Sequence, residues 1–229
     1  MSRTQRILWL IAGIISCAPT VWAQDVDARR YAVAYVEVLP ASAGVLRKAF
    51  IAYRDETRRE NGFVSIDLAG QIGRAGHFVI VEAWRDQAAF DAHQSAASWK
   101  QFMTLLQPIR TSGYDQRPYK TLTVAPPRGA AGRNAVTVVS HVDIGGGAKI
   151  DVPALLGKQA EASRGEAGSI RFDVLQHTVR ANHFTVVEIW ESQQALDRHA
   201  AAPHTRQYRD EVQPVSGSPV DERVYTLVE

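Results

Sequence analysis

His93 and His199 close two stretches of near-identical design, His77 to His93 (HFVIVEAWRDQAAFDAH) and His183 to His199 (HFTVVEIWESQQALDRH), 106 positions apart (199 − 93). An imidazole titrates near neutrality and can take a proton from a bound hydroxyl, so a repeated His is a candidate general base. In each stretch the His follows an apolar residue by three positions, Phe90 or Leu196, and an Ala by four, Ala89 or Ala195. That spacing puts the ring on the helix face that packs inward. It equally suits a half-buried His that only hydrogen-bonds to a backbone carbonyl or a carboxylate. Trp84 and Trp190 supply flat indole surfaces, either as core or as walls against a planar ligand. Glu82 and Glu188 stand two residues before them, on the same strand face and between apolar neighbours, where a carboxylate needs a partner. The expected site is therefore His93 and His199 as bases, with Trp84, Trp190, Glu82, Glu188, Phe90 and Leu196 around a ligand.

The elements that must hold these side chains follow from periodicity. Tyr31 to Val38 is β-branched and aromatic enough for a strand, which Leu39-Pro40 ends. From Ser42 or Ala43, residues such as Leu46, Phe50 and Tyr53 recur at helical spacing until Asn61-Gly62, a left-handed stop. Phe63 to Ala69 and His77 to Trp84 are strands on either side of a glycine-punctuated turn. Asp86 is expected to cap the helix ending at His93, Ser98 to cap another running to Leu106, and Tyr119 to Val124 to close the unit. The order β-α-β-β-α-β is the ferredoxin-like split motif.

The same order returns from Ala135 to Val228, so the fold class is α+β with two such repeats, at 31–124 and 134–229. The segment 125–133, APPRGAAGR, has the composition of a linker. The third strands are apolar on both faces, which requires a second layer. The two sheets are expected to pack face to face into one barrel-like core, an intramolecular pseudo-dimer. Ser98 against His204 and Phe102 against Tyr208 distinguish the halves, so their pockets need not be equivalent.

Lys and Arg number 26 against 24 Asp and Glu, with no block of like charge, so neither a nucleic-acid footprint nor a basic membrane-binding face is present. Residues 1–23 carry a basic start, a short apolar run and Val21-Trp22-Ala23, the pattern of a cleaved signal peptide. That predicts a periplasmic or secreted protein with no transmembrane segment in the mature chain. Ile14-Ile15-Ser16-Cys17 also suits a lipobox, which would instead anchor the chain through Cys17. No metal site is expected, because the chain's only cysteine is Cys17 and His199 and His204, five apart, do not share a helix face.

The Glu-x-Trp strand ends, the Asp or Ser caps, the helices ending in His and the following starts HQSAASWKQF and HAAAPHTRQY resemble the antibiotic biosynthesis monooxygenase superfamily, including its quinol-monooxygenase-like members. The resemblance covers Tyr31 to Val124 and Ala135 to Val228. It implies ferredoxin-like units paired as a dimeric α/β barrel. It also implies a cofactor-independent monooxygenase that oxidises quinols or related phenolic or polycyclic aromatic molecules with O2. Each His would then take a proton from the substrate hydroxyl and make it a better electron donor. Haem-degrading members carry a first-strand Asn and a Trp followed by a His near this helix. His93 and His199 stand at that Trp position and the downstream His is missing, so no haem is expected. The alternative is a non-catalytic ligand-binding or interaction module that kept the barrel.

Overall fold

A computed structural model describes residues 28–228, so the signal-peptide and Cys17 readings lie outside the described residues. The first repeat runs β1 (Arg30–Glu37), α1 (Ala43–Thr57), β2 (Phe63–Gln71), β3 (His77–Trp84), α2 (Gln87–Ser95), α3 (Ala97–Leu106) and β4 (Asp115–Thr123). The second runs β5 (Val136–Asp143), α4 (Val152–Arg164), β6 (Ser169–His177), β7 (His183–Trp190), α5 (Gln193–Ala201), α6 (Pro203–Val212) and β8 (Asp221–Leu227). Short 3-10 turns at Pro40–Ser42 and Gln213–Val215 complete the set. Among the described residues no helix is long and apolar enough to cross a membrane.

Among the described residues eight strands close into one antiparallel barrel in the order β1-β3-β2-β8-β5-β7-β6-β4. Each repeat contributes a four-stranded sheet, and the seams are β2 with β8 (Ala69 opposite Leu227) and β4 with β6 (Tyr119 opposite His177). The two sheets thus join edge to edge as well as facing each other, which leaves neither with an open edge. Strand alternation sorts the side chains. Val33, Tyr35, Val79, Val81, Val139, Leu175 and Val187 fill the barrel interior, while Ala34, Phe78 and Ile80, and in the second half Val138, Phe184 and Val186, pack under the helices. This is why the third strands are apolar on both faces.

Three of the described helix starts carry side-chain caps, the one at Asp86 as expected from sequence. Asp86 accepts from the Ala89 amide (2.8 Å), Asp151 from Ala154 (3.1 Å) and Ser192 from Ala195 (3.2 Å). Ser98 is an exception. Helix α3 starts at Ala97 with extended Ala96 as its N-cap and no side-chain cap, and the Ser98 hydroxyl donates to Glu60 instead. Helix α1 likewise ends at Thr57, before the expected stop, and the left-handed Gly62 (φ 84) shapes the entry to β2. A Cβ at Gly62 would collide with Ala89, so glycine lets the start of β2 lie against α2.

Candidate functional site

Each Glu-x-Trp strand end is covered by the helix that carries the repeated His. The His93 ring stacks on Trp84 (centroids 4.3 Å, 24°), and His199 on Trp190 (4.5 Å, 27°). Both Trp residues are fully buried beneath the imidazoles, which fixes ring orientation. A carboxylate from the loop after the first helix of each repeat completes the pair. Glu60 Oε2 lies 2.8 Å from His93 Nδ1, and Glu166 Oε1 lies 2.6 Å from His199 Nδ1. A carboxylate facing Nδ1 draws a ring proton to that nitrogen, and whenever the ring is neutral Nε2 is then its acceptor.

What meets Nε2 separates the halves. In the first, the Tyr53 hydroxyl lies between His93 Nε2 at 2.7 Å and Glu82 Oε1 at 2.9 Å, and its single proton serves one of the two at a time. Tyr53 also stacks on Phe102 (4.4 Å, 11°), with Trp99 and Tyr114 behind it. His93 has no exposed side-chain surface and is closed in by the protein's own aromatics. In the second half the positions 106 residues later hold Gln159, Thr205, Tyr208 and Val220 in place of Tyr53, Trp99, Phe102 and Tyr114. Gln159 turns its amide nitrogen to Thr205 Oγ1 (3.2 Å) rather than to His199.

The lost aromatic volume leaves a cavity of about 740 Å3, lined by His199, Glu188, Tyr208, Phe172, Val186 and Val212 among others. Such a volume suits a small organic ligand, and mostly apolar walls with few polar groups are typical of ligand pockets. Ser140 Oγ, Gln159 Oε1 and the Tyr208 hydroxyl belong to residues lining the cavity and are buried without a hydrogen-bond partner. Buried polar atoms of this kind call for a ligand that can pair with them.

Electrostatics sharpen the contrast. Burial pushes the Glu188 carboxyl up to about 8 against the stabilising Trp190 indole N–H, which donates to Glu188 Oε2 at 2.7 Å. Glu188 is therefore largely protonated at neutral pH. Burial lowers His199, with the Glu166 hydrogen bond opposing it, which favours the neutral, proton-accepting ring. Each His Nε2 has the strand glutamate at 3.8 Å, outside hydrogen-bond range, and His93 Nε2 has the Tyr53 hydroxyl as well. Burial also raises Glu82, while His93, Tyr53 and Trp84 lower it.

Of the residues expected from sequence, His199 and Glu188 line the cavity. Trp190 lies behind His199, and neither it nor Leu196 forms cavity wall. His93, Glu82, Trp84 and Phe90 form the closed counterpart in the first half. His77 and His183 pair with Glu37 and Asp143 at the barrel rim, each at 3.2 Å. Glu60 and Glu166 were not anticipated. Their signal was their own repetition, two residues before Gly62 and Gly168 in each copy.

Two β-α-β-β-α-β repeats closed into one barrel, each with a His at its helix–sheet junction, define a tandem dimeric α/β-barrel protein. The family model for antibiotic biosynthesis monooxygenase matches residues 29–105 and again 135–211, and the chain belongs to that family. Among solved structures it is similar to a candidate monooxygenase from Fusobacterium nucleatum, with 14% identity and a TM-score of 0.81 over 88% of this chain and 93% of the other. It is also similar to a candidate monooxygenase from Lactobacillus acidophilus (15%, TM-score 0.75, 88% and 95%). An anthrone oxidase-like protein is a third (14%, TM-score 0.67, 89% and 92%). At such identities the likeness is one of fold. No curated protein matches this sequence.

Proposed function

We propose that the second half of the chain is a monooxygenase site that works without a cofactor on a quinol or related phenolic molecule, and that the first half is its closed, structural counterpart. The observation that carries this reading is Tyr53. In the first half a phenol, the protein's own, occupies the place beside His93 Nε2 and Glu82 where the second half has open space beside His199 Nε2 and Glu188. A substrate phenol seated likewise would give its proton to His199 Nε2, while Glu166 holds Nδ1 and steadies the imidazolium that forms. The resulting phenolate is the electron-rich species that O2 oxidises. With a hydroquinone, one oxygen atom enters the ring, the other leaves as water, and the substrate supplies all four electrons that O2 takes up, giving a hydroxyquinone.

Oxygen consumption with a panel of hydroquinones and anthrones tests this reading. Wild type is expected to turn over at least one of them, His199→Ala to lose that turnover, and His93→Ala to retain it if folded. Equal rates for wild type and His199→Ala would dismiss the base. Ligand binding without turnover in any protein would leave a binding module.

A further inference from the structure

The Nδ1 edge of His199 carries a cluster that the first half lacks. Glu166, His199 and His204 each bring one ligand atom within 4.8 Å of the others. In the first half Glu60 spends one oxygen on His93 and the other on the Ser98 hydroxyl, so every partner is satisfied. In the second, Ser98 is replaced by His204, and both imidazoles converge on the same oxygen, Glu166 Oε1, at 2.6 Å from His199 Nδ1 and 3.0 Å from His204 Nε2. His204 Nε2 is close enough for an ion pair but misdirected for a hydrogen bond, and it is buried without a hydrogen-bond partner.

The sequence spacing of five concealed this pair, because one continuous helix would place the two rings on different faces. The helix is not continuous. Ala202 is extended (φ −64, ψ 143) and Pro203 opens α6, so the chain turns and brings His204 back to His199, with ring centroids 5.8 Å apart.

We propose that Glu166, His199 and His204 bind one divalent transition-metal ion of the Zn2+ class. Two imidazole nitrogens and one carboxylate oxygen are ligands such ions favour over Mg2+ or Ca2+, and three protein ligands leave a position for water. Bonds of about 2.0–2.1 Å place neighbouring ligands of a tetrahedral ion roughly 3.3 Å apart. Glu166 Oε1 therefore has to retreat from His199 Nδ1, now at 2.6 Å, by several tenths of an ångström. The Nδ1 proton is displaced on binding. The ring's remaining proton then sits on Nε2, so a metal-loaded His199 presents a donor rather than an acceptor to the cavity. Metal loading and the base role exclude each other, but the metal site stands on its own geometry and not on the oxidation chemistry.

The test is binding by the full chain after chelator treatment. Co2+ titration followed by visible d–d absorption, and Zn2+ calorimetry, are expected to give one ion per chain with proton release. His204→Ser, which copies the arrangement at Ser98, and Glu166→Gln are each expected to weaken binding beyond the roughly 10–100-fold typical of an outer-shell change. Thermal melts check that both variants are folded. A wild-type chain that takes up neither ion at micromolar concentration, or affinity unchanged in both folded variants, overturns the proposal. Because the readout is metal uptake, failure of the hydroquinone assay leaves this result unaffected.

Discussion

The Tyr53 hydroxyl lies 2.7 Å from His93 Nε2, whereas Gln159, its counterpart in the second repeat, leaves His199 Nε2 facing a cavity of about 740 Å3. This substitution between duplicated helices is one of those that separate a filled pocket from an open one. Gln159→Tyr should reverse it. The new phenol is expected to dock on His199 and Glu188 as Tyr53 does on His93 and Glu82, to raise the melting temperature, and to cut aromatic-ligand affinity at least about tenfold, or about 1.4 kcal/mol. Calorimetric titration with a hydroquinone checks this, and undiminished affinity would show that the ligand lies elsewhere in the cavity.

The reciprocal change removes a partner from a buried network. Tyr53→Phe leaves His93 Nε2 without its 2.7 Å contact and Glu82 Oε1 without its 2.9 Å donor, in a place water does not reach. An orphaned buried polar group costs about 1–3 kcal/mol. Urea denaturation should show a loss in that range with the slope unchanged. A loss under about 0.5 kcal/mol, the scale of an ordinary surface change, would mean that water or a rearranged side chain fills in.

The barrel was legible because a duplication states its own element boundaries. HFVIVEAW and HFTVVEIW, 106 residues apart, fix two strands at once, and the caps Asp86 and Ser192 fix the helices after them. The site was legible only where its members share a short stretch, as Glu82, Trp84 and His93 do. Glu60 reaches His93 across 33 positions and Tyr53 across 40, distances set by how α1 lies on the sheet rather than by any local period. The open cavity was less legible still. It arises from several large-to-small differences on two helices, Tyr53 to Gln159 and Trp99 to Thr205 above all, and only the folded packing shows that they face one space. His204 was misread for a definite reason, since the break at Ala202 replaces helical geometry with a turn.

Gly168 offers a backbone test of the scaffold under His199. Its φ of 86° is left-handed, and a Cβ there would meet Ala195 Cβ at 2.7 Å and Glu191 Oε1 at 2.8 Å. Gly168→Ala combines left-handed strain with overpacking at the start of α5, together about 2–4 kcal/mol. The same change should weaken ligand binding, because α5 carries His199. An alanine variant with wild-type stability would show that the loop can shift without cost.

On the pseudo-twofold relation between the repeats, Tyr35 and His141 meet, with the Tyr35 hydroxyl 2.5 Å from His141 Nε2 and Thr185 Oγ1 2.8 Å from Nδ1. Arg117 Nη1 lies 3.2 Å from the same Nε2, and the Arg117 and Arg223 guanidiniums both cover the Tyr35 ring, at 5.2 and 5.1 Å. Burial first, then Arg117, with Arg223 adding, lower His141 from 6.5 to about 4, while Asp221 and Asp115 oppose the shift. Because the folded pKa lies below the unfolded one, the unfolded chain binds a proton that the folded chain refuses between these values. Stability from His141 is therefore complete above about pH 6.5, falls as pH drops towards 4, and is fully lost below it. At 1.36 kcal/mol per unit the loss is at most on the order of 3 kcal/mol, and less with partial solvent access. Glu188, raised to about 8, acts in the opposite sense and loses its contribution as pH rises, so only a comparison isolates the histidine. Urea midpoints of wild type and His141→Gln between pH 7 and pH 4 should diverge at neutral pH and converge on acidification. Parallel curves across that window would place the acid sensitivity on other groups.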